Sequence, residues 1–397
     1  MNTRDHNDDR LSFTELMTLI SLPPLENDAG EERFMSTRPA YNPGQNAAYG
    51  GHVFAQSVWA ASLSVGEGMV VHNVHGFFPL PGLVDRPYVY SISHLSEGRS
   101  YCTRQVQVRQ PTSPAKSKSW SKSSFRNHSQ DFVIKDVTGE LGSVCFSSMI
   151  SFKRDEGYIT GHQTESGVRE RYKSVIEGRK PDSWPFVPRV DAAWADRATF
   201  RYPFPNDFPG LAVHRVDMAD FNANLPSANY RQLNYYTPLG HIPLSNPNLH
   251  ACAHLYASDR NSLYLIPKAL NTSEDISQMG SLSHSVIFHV SSKDLLIEEG
   301  EWWIQEAWTP TSGHGRGVHE SRIWKLGDGD EEGEDIQIAS SWQDGVVRYS
   351  KTRSKQKMRL LWFEGMRKMG LVGEDVCLEE GLPAIEESGK IIGKEKL

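Results

Sequence analysis

Hydrophobic positions run through the chain in two rounds of one pattern. From Gly50 to Leu63, two glycines precede Val53, Phe54, Val58, Trp59 and Leu63 at helical spacing, which predicts one largely buried helix. After His72-Asn-Val-His-Gly-Phe-Phe come runs that alternate or carry β-branched and aromatic residues as strands do, at Arg86–Leu95, Gly98–Gln110 and Gly142–Phe152. The second round has a helix over Asn248–Leu263, then strand-like runs at Ser281–His289, Glu301–Pro310, Gly315–Leu326 and Ile336–Tyr349. His75-Gly-Phe-Phe lines up with His284-Ser-Val-Ile-Phe, and Gly98-Arg99 with Gly315-Arg316. A sheet with one apolar face and a helix with an apolar surface bury each other. The repeat therefore predicts an α+β fold of two fused copies of an antiparallel sheet curved around a central helix.

Four segments follow. Residues 1–160 form an N-terminal domain interrupted at 111–130 by a Ser/Lys-rich, aperiodic loop, and 207–350 form the C-terminal domain expected to carry the chemistry. Between them, 161–206 is polar and Pro-bearing and reads as a linker or wrap. In the extension 351–397, Met358, Leu361, Trp362, Met366 and Met369 make an amphipathic helix with basic flanks, suited to docking on its own domain or to a membrane surface.

Charge and composition narrow the function. The 42 Lys and Arg against 49 Asp and Glu leave a net charge of −7 spread along the chain, so no global field points to nucleic acid or an anionic membrane. The apolar stretch Val70–Val84 is broken by His72, Asn73, His75, Pro79 and Pro81, and predicts no membrane-spanning segment. The start of the chain shows no apolar secretory region, and Cys102, Cys145, Cys252 and Cys377 are widely spaced, which predicts an intracellular protein with free thiols. No G-x-S-x-G elbow, phosphate loop or dinucleotide fingerprint occurs. His250 and His254 are an i,i+4 pair, but without the glutamate of H-E-x-x-H they read as packing histidines, and no metal is expected.

Asp259 comes late in the second-half helix, after the apolar Ala253, Leu255, Tyr256 and Ala257, where a solvated charge is out of place on a buried side. Its company is Ser281 at the start of a strand and Gln343 in Ser-Trp-Gln-Asp-Gly-Val-Val-Arg. With these motifs the chain resembles the acyl-CoA thioesterase II family. The helix signature G-G-x-V-x-x-Q-x-x-x-A-A is present from Gly50 to Ala61 with Gln56 in place. Tyr-Ala-Ser-Asp at 256–259, the Ser-x-x-His-Ser strand from Ser281 to His289, and Gln-x-Gly-Val-x-Arg at 343–348 follow in order.

The resemblance implies a double hotdog fold and hydrolysis of an acyl-CoA to a free acid and CoA without cofactor or metal. It implies that Asp259, Ser281 and Gln343 converge on a water, with Gly50, Gly51, His75, Ser283 and Gly345 meeting the substrate. One departure stands out: the family strand reads S/T-x-D-H-S, and here Ser283 replaces its Asp, which leaves open which of Ser281 and Ser283 faces the site. In the first half, Ala60 and its neighbours occupy the place of Asp259, so one catalytic set per chain is expected. Family members occur in peroxisomes and in cytoplasm, and the chain's Glu395-Lys396-Leu397 keeps two of the three residues of a peroxisomal address.

The residue types suit the chemistry. A carboxylate that orients and deprotonates water acts as general base on an electrophilic thioester, while hydroxyl and amide groups fix the water. Gly50 and Gly51 either permit close backbone approach or leave N–H groups free for a thioester carbonyl. Lys116, Lys118, Lys122 and Arg126, interleaved with Trp120 and Phe125, either meet the CoA phosphates and adenine or form a solvated loop. Trp59, Phe77, Phe78 and Phe288 are expected to wall the acyl tunnel. The alternatives are an acyl thioester hydratase or dehydratase of the same fold, using an Asp and a histidine such as His284, and a catalytically silent acyl-CoA-binding protein. Pairing of such sheets makes a homo-oligomer, a dimer of chains or higher, the expected assembly.

Overall fold

The computed structural model describes residues 10–24, 31–43, 47–116, 131–157, 160–163, 166–191, 207–327 and 334–349. Two helices lie at its centre, Gly50–Ser62 and Pro247–Ser258. Leu249 through Ser258 are all buried, as are Gly51 through Val58, so both helices are buried nearly all round, as a helix must be when sheet covers one side and a second helix the other.

In the first half, β1 (Leu19–Leu22) and β2 (Glu32–Ser36) precede the helix, and β3 (Met69–Phe77), β4 (Val89–Glu97), β5 (Tyr101–Arg109) and β6 (Phe146–Arg154) follow it. In the second, β7 (Leu211–Arg215) and β8 (Gln232–Pro238) precede, and β9 (Ile276–Phe288), β10 (Trp303–Gly313), β11 (Arg316–Lys325) and β12 (Ile336–Tyr349) follow. The sheet order β1-β2-β4-β5-β6-β3-β9-β12-β11-β10-β8-β7 is the same half written twice, once reversed. β3 and β9 join the halves antiparallel, from Asn73 opposite Ile287 to Phe77 opposite Ser283. These are the two fused sheet-and-helix copies the repeat predicted, the double hotdog that the resemblance implied, with one addition. The two strands before each helix escaped the sequence reading, because Glu32–Ser36 and Gln232–Pro238 are short and flanked by irregular chain.

The helices run antiparallel: the Tyr49 hydroxyl donates to the Tyr256 carbonyl, and Trp59 lies beside Cys252. Each helix therefore starts where the other ends. At one such junction the Asn248 side chain replaces a missing strand, accepting from Val71 N–H at 2.9 Å and donating to the Met69 carbonyl at 2.9 Å, just beyond the point where β9 pairing with β3 begins at Asn73.

The stretch read as a linker or wrap packs as a cover over its described part. Val168, Tyr172 and Ile176, at i, i+4 and i+8, join Trp184 in a cluster with Leu233, Ile304 and Trp324. Arg171 forks onto Glu306 at 2.6 and 2.8 Å, and Tyr172 and the Trp324 indole also donate to that carboxylate, so the buried Glu306 charge is paired and hydrogen-bonded. The extension 351–397, including Glu395-Lys396-Leu397, and residues 117–130 with Lys118, Trp120, Lys122, Phe125 and Arg126 lie outside the described residues. Among the described residues no helix is long and apolar enough to cross a membrane.

Asn248→Ala leaves a backbone N–H and C=O of β3 without their partner. The expected loss is about 1–2 kcal/mol, read as a lower urea midpoint with an unchanged slope. An unaltered midpoint counts against this junction as a stabilising contact.

Candidate active site

At the other junction the second helix ends on Ser258, and Asp259 is its C-cap, not a residue of the helix proper. Asn261 follows at φ 55°, a left-handed conformation that Asn tolerates better than most residues, and reverses the chain into a short 3-10 turn at Ser262–Tyr264. The turn is held from outside. The Arg260 guanidinium and the Asn261 amide both donate to the Pro188 carbonyl, at 3.0 and 2.8 Å.

So fixed, the Asp259 carboxylate is buried and faces the start of the first helix. The Gly51 N–H donates to it, and the positive end of that helix favours a negative charge at this place. A Cβ on Gly50 would stand 3.1 Å from Asp259 Oδ2 and 3.2 Å from the Phe78 ring, so glycine here is a matter of close approach. Ser262, three residues on, turns its hydroxyl back to the Asp259 carbonyl at 3.2 Å and to Oδ1 at 3.4 Å.

From the sheet side, Gln343 on β12 donates through Nε2 to Asp259 Oδ1 at 2.5 Å and to Ser281 Oγ on β9 at 2.7 Å. Ser281 reaches this face because β9 bulges. Ser283 stands opposite Asp344, but two residues earlier Ser281 stands opposite Gly345, one register step away, so Leu282 is the extra residue. In a regular strand Ser281 and Ser283 share a face; the bulge separates them. Gly345 serves packing here: a Cβ would fall 2.4 Å from a Leu263 methyl, the residue that closes the turn after Asp259.

Removal from water dominates the electrostatics. Desolvation pushes the Asp259 carboxyl up to about 6, against the opposing pull of hydrogen bonds from Gln343, Gly51 and Ser262 and of the nearby Arg260 charge. The result is a carboxylate held ready near neutral pH with an unusually strong affinity for a proton.

Asp259, Ser281, Gln343, Gly50, Gly51 and Gly345 thus come together. His75 and Ser283 do not. His75 is exposed, pairs with Ser285 and hydrogen-bonds its hydroxyl, and Ser283 stands opposite Asp344 and Phe77, all on the face turned away from Gln343. Both assignments to the substrate site are corrected by strand alternation, as is Phe77 as a tunnel wall, since it is half exposed on that outer face. Phe78, the next residue, is the one beside Gly50. Ser262 and Arg260 were missed, although a serine three residues after an aspartate in a turn is a legible signal. Gln56 of the helix signature holds the fold instead, accepting from the Tyr90 hydroxyl at 2.7 Å and donating to the Leu16 carbonyl. His250 and His254 spend their ring nitrogens on protein partners: Ile297 N–H and the Pro243 carbonyl for one, the Tyr236 hydroxyl and the Leu295 carbonyl for the other.

Residues 37–119 match the family model for the acyl-CoA thioesterase N-terminal domain, and residues 182–347 the model for the acyl-CoA thioesterase C-terminal domain. The chain belongs to the acyl-CoA thioesterase family. Human acyl-coenzyme A thioesterase 8 is 21% identical over 353 residues, covering 86% of this chain and 91% of that one. Acyl-CoA thioesterase 2 of Haemophilus influenzae is 33% identical over 67 residues, 16% of this chain and 23% of its own. Among solved structures, the acyl-CoA thioesterase II TesB2 of Mycobacterium marinum superposes with a TM-score of 0.55 at 22% identity, over 86% of this chain and 99% of that one. A hot dog fold protein of Alicyclobacillus acidocaldarius superposes at 0.53 with 13% identity, over 85% and 98%. These superpositions establish the shared fold.

The raised proton affinity of Asp259 carries a stability cost of definite sign. The folded carboxyl holds its proton up to about pH 6, the unfolded one only to about pH 4, so folding stability falls as pH rises through that window. Asp259→Asn is therefore expected to stabilise the protein by about 2–3 kcal/mol at pH 7–8 and by little at pH 4, read from urea unfolding at both pH values. A destabilised variant at pH 7–8 contradicts the desolvation account.

Proposed function

We propose that the chain hydrolyses acyl-CoA to a free carboxylic acid and CoA with Asp259 as general base. The observation that carries the reading is one amide, Gln343 Nε2, joining a buried carboxylate to the Ser281 hydroxyl at the start of a helix. In the reaction Asp259 takes a proton from water as the water oxygen attacks the thioester carbon. Asp259 and the Ser281 hydroxyl hold the water while Gln343, bonded to both, fixes their orientation, and the N–H of Gly50, in a first helical turn without intrahelical acceptors, donates to the developing oxyanion. Collapse expels the CoA thiolate, which leaves with the proton Asp259 had taken. No covalent enzyme intermediate is involved.

A hydratase reading would draw on His284. That ring contacts Ser258 through Nε2 at 3.3 Å and stacks on Phe54 at 4.5 Å, and burial lowers its proton affinity to about 3, which suits a neutral packed group better than an acid catalyst. With the hydrolase reading goes the proposal that the chain works in the peroxisome or the cytoplasm as a homo-oligomer. Exposed Phe77 on β3, Met149 on β6 and Trp342 on β12, all on the outer sheet face, suit contact with a second copy.

Thiol release from short, medium, long and branched acyl-CoAs tests the function. Asp259→Ala and Gln343→Ala are each expected to lower kcat/KM by ~10²-fold or more, and Ser281→Ala by ~10-fold. Full turnover by folded Asp259→Ala sinks the assignment, and no release from any acyl-CoA by the wild type favours the binding or hydratase readings. In the wild type, kcat/KM is expected to fall tenfold per pH unit below about pH 6, as Asp259 takes up its proton.

A further inference from the structure

Behind Gln343 lies a row of buried polar atoms with no hydrogen-bond partner: Gln343 Oε1, His284 Nδ1 and His319 Nδ1. His284 on β9 and His319 on β11 are the residues directly opposite Gln343 on its two neighbouring strands, and all three side chains are buried on the inner face. Facing residues of this kind have Cβ atoms about 4.5–5.5 Å apart, so each histidine lies against Gln343, which stands between them.

The proton positions follow from the partners. The Ser258 hydroxyl donates to the Leu255 carbonyl at 2.8 Å, so toward His284 Nε2, at 3.3 Å, it can only accept. Nε2 therefore carries the hydrogen and Nδ1 is a bare acceptor, with the ring held by its 5° stack on Phe54. Gln343 Oε1 is an acceptor too, because the NH2 is turned to Asp259 and Ser281. Two buried acceptors side by side call for a donor of two hydrogens, and each left unpaired costs about 1–3 kcal/mol.

We propose that Gln343 Oε1, His284 Nδ1 and His319 Nδ1 together hold one structural water, and that His284 and His319 are thereby positioning residues for Gln343. The water donates to Gln343 Oε1 and His284 Nδ1, and the proposal assigns His319 the Nδ1–H tautomer, from which the water accepts, because both hydrogens of the water are already used; all three atoms are then satisfied. Its effect is directional. A Gln343 amide turned over would aim its oxygen at the Asp259 carboxylate, and the water holds the amide the other way. Burial keeps both histidines neutral over the working range, lowering each to about 3, so the arrangement does not titrate with Asp259. The inference rests on the hydrolytic role proposed for Gln343.

Two measurements test it. A crystal structure of the full chain at about 1.5 Å is expected to show a water within hydrogen-bond reach of all three atoms; density without it overturns the proposal. In kinetics, His319→Leu is expected to lower kcat ~10-fold with KM within twofold, and His319→Gln, whose amide keeps a donor, to restore most of it. In a Gln343→Ala background His319→Leu should have no further effect. A His319→Leu enzyme with wild-type kcat, or an equal loss in both backgrounds, overturns the positioning role. Failure of the hydrolytic reading is separate, since it appears as turnover that survives Asp259→Ala whether or not the water is seen.

Discussion

The structure turns on one carboxylate placed against the start of a helix. Asp259 is withdrawn from water at the end of one central helix and receives the Gly51 N–H at the beginning of the other. This requires the helices to run antiparallel, a glycine at position 50 so that backbone and carboxylate can approach, and a left-handed Asn261 so that the chain turns away at once. It also requires a pin on the turn from outside, which the Pro188 carbonyl supplies. A stretch of irregular chain between the halves thereby becomes part of what orients the site.

The two halves share a topology but not a chemistry. Each helix begins where its partner ends, so the fold builds two junctions related by its internal repeat. At one, a bare glycine start leaves backbone N–H groups for a carboxylate. At the other, Asn248 occupies the corresponding place and spends both ends of its amide on the backbone of β3, while the helix that ends there has Leu63 as its C-cap where the other has Asp259. Among the described residues the repeated architecture thus carries the candidate site at one junction, and the other is given over to cohesion. The sequence set Ala60 and its neighbours against Asp259, whereas the caps pair Asp259 with Leu63.

Several polar groups of the interior are buried in networks with shared partners. Gln343 serves two acceptors through one NH2, Glu306 collects an arginine fork, a tyrosine and an indole, and Gln56 gathers Tyr90 and His52. Such networks fix side-chain orientation more strongly than apolar packing does, because a rotated amide meets like poles. That rigidity holds the candidate site in one geometry.

Much of this was legible in the chain. The helical spacing after Gly50 and Asn248, the alternating runs and their repetition sufficed for two sheet-wrapped helices, because burial of apolar faces is a local, periodic requirement. Asp259, Ser281 and Gln343 were legible through the motifs around them. What only the tertiary structure decided was direction. Ser281 and Ser283 are two residues apart and share a face in any regular strand; a single extra residue, Leu282, turns one inward and leaves the other outside. His75 and Phe77 fell on the outer face for the same reason, since a strand shows its period in sequence but not which of its two sides meets the core. That choice is made by pairing across the sheet, between residues more than two hundred positions apart at the β3–β9 seam, and no local pattern encodes it.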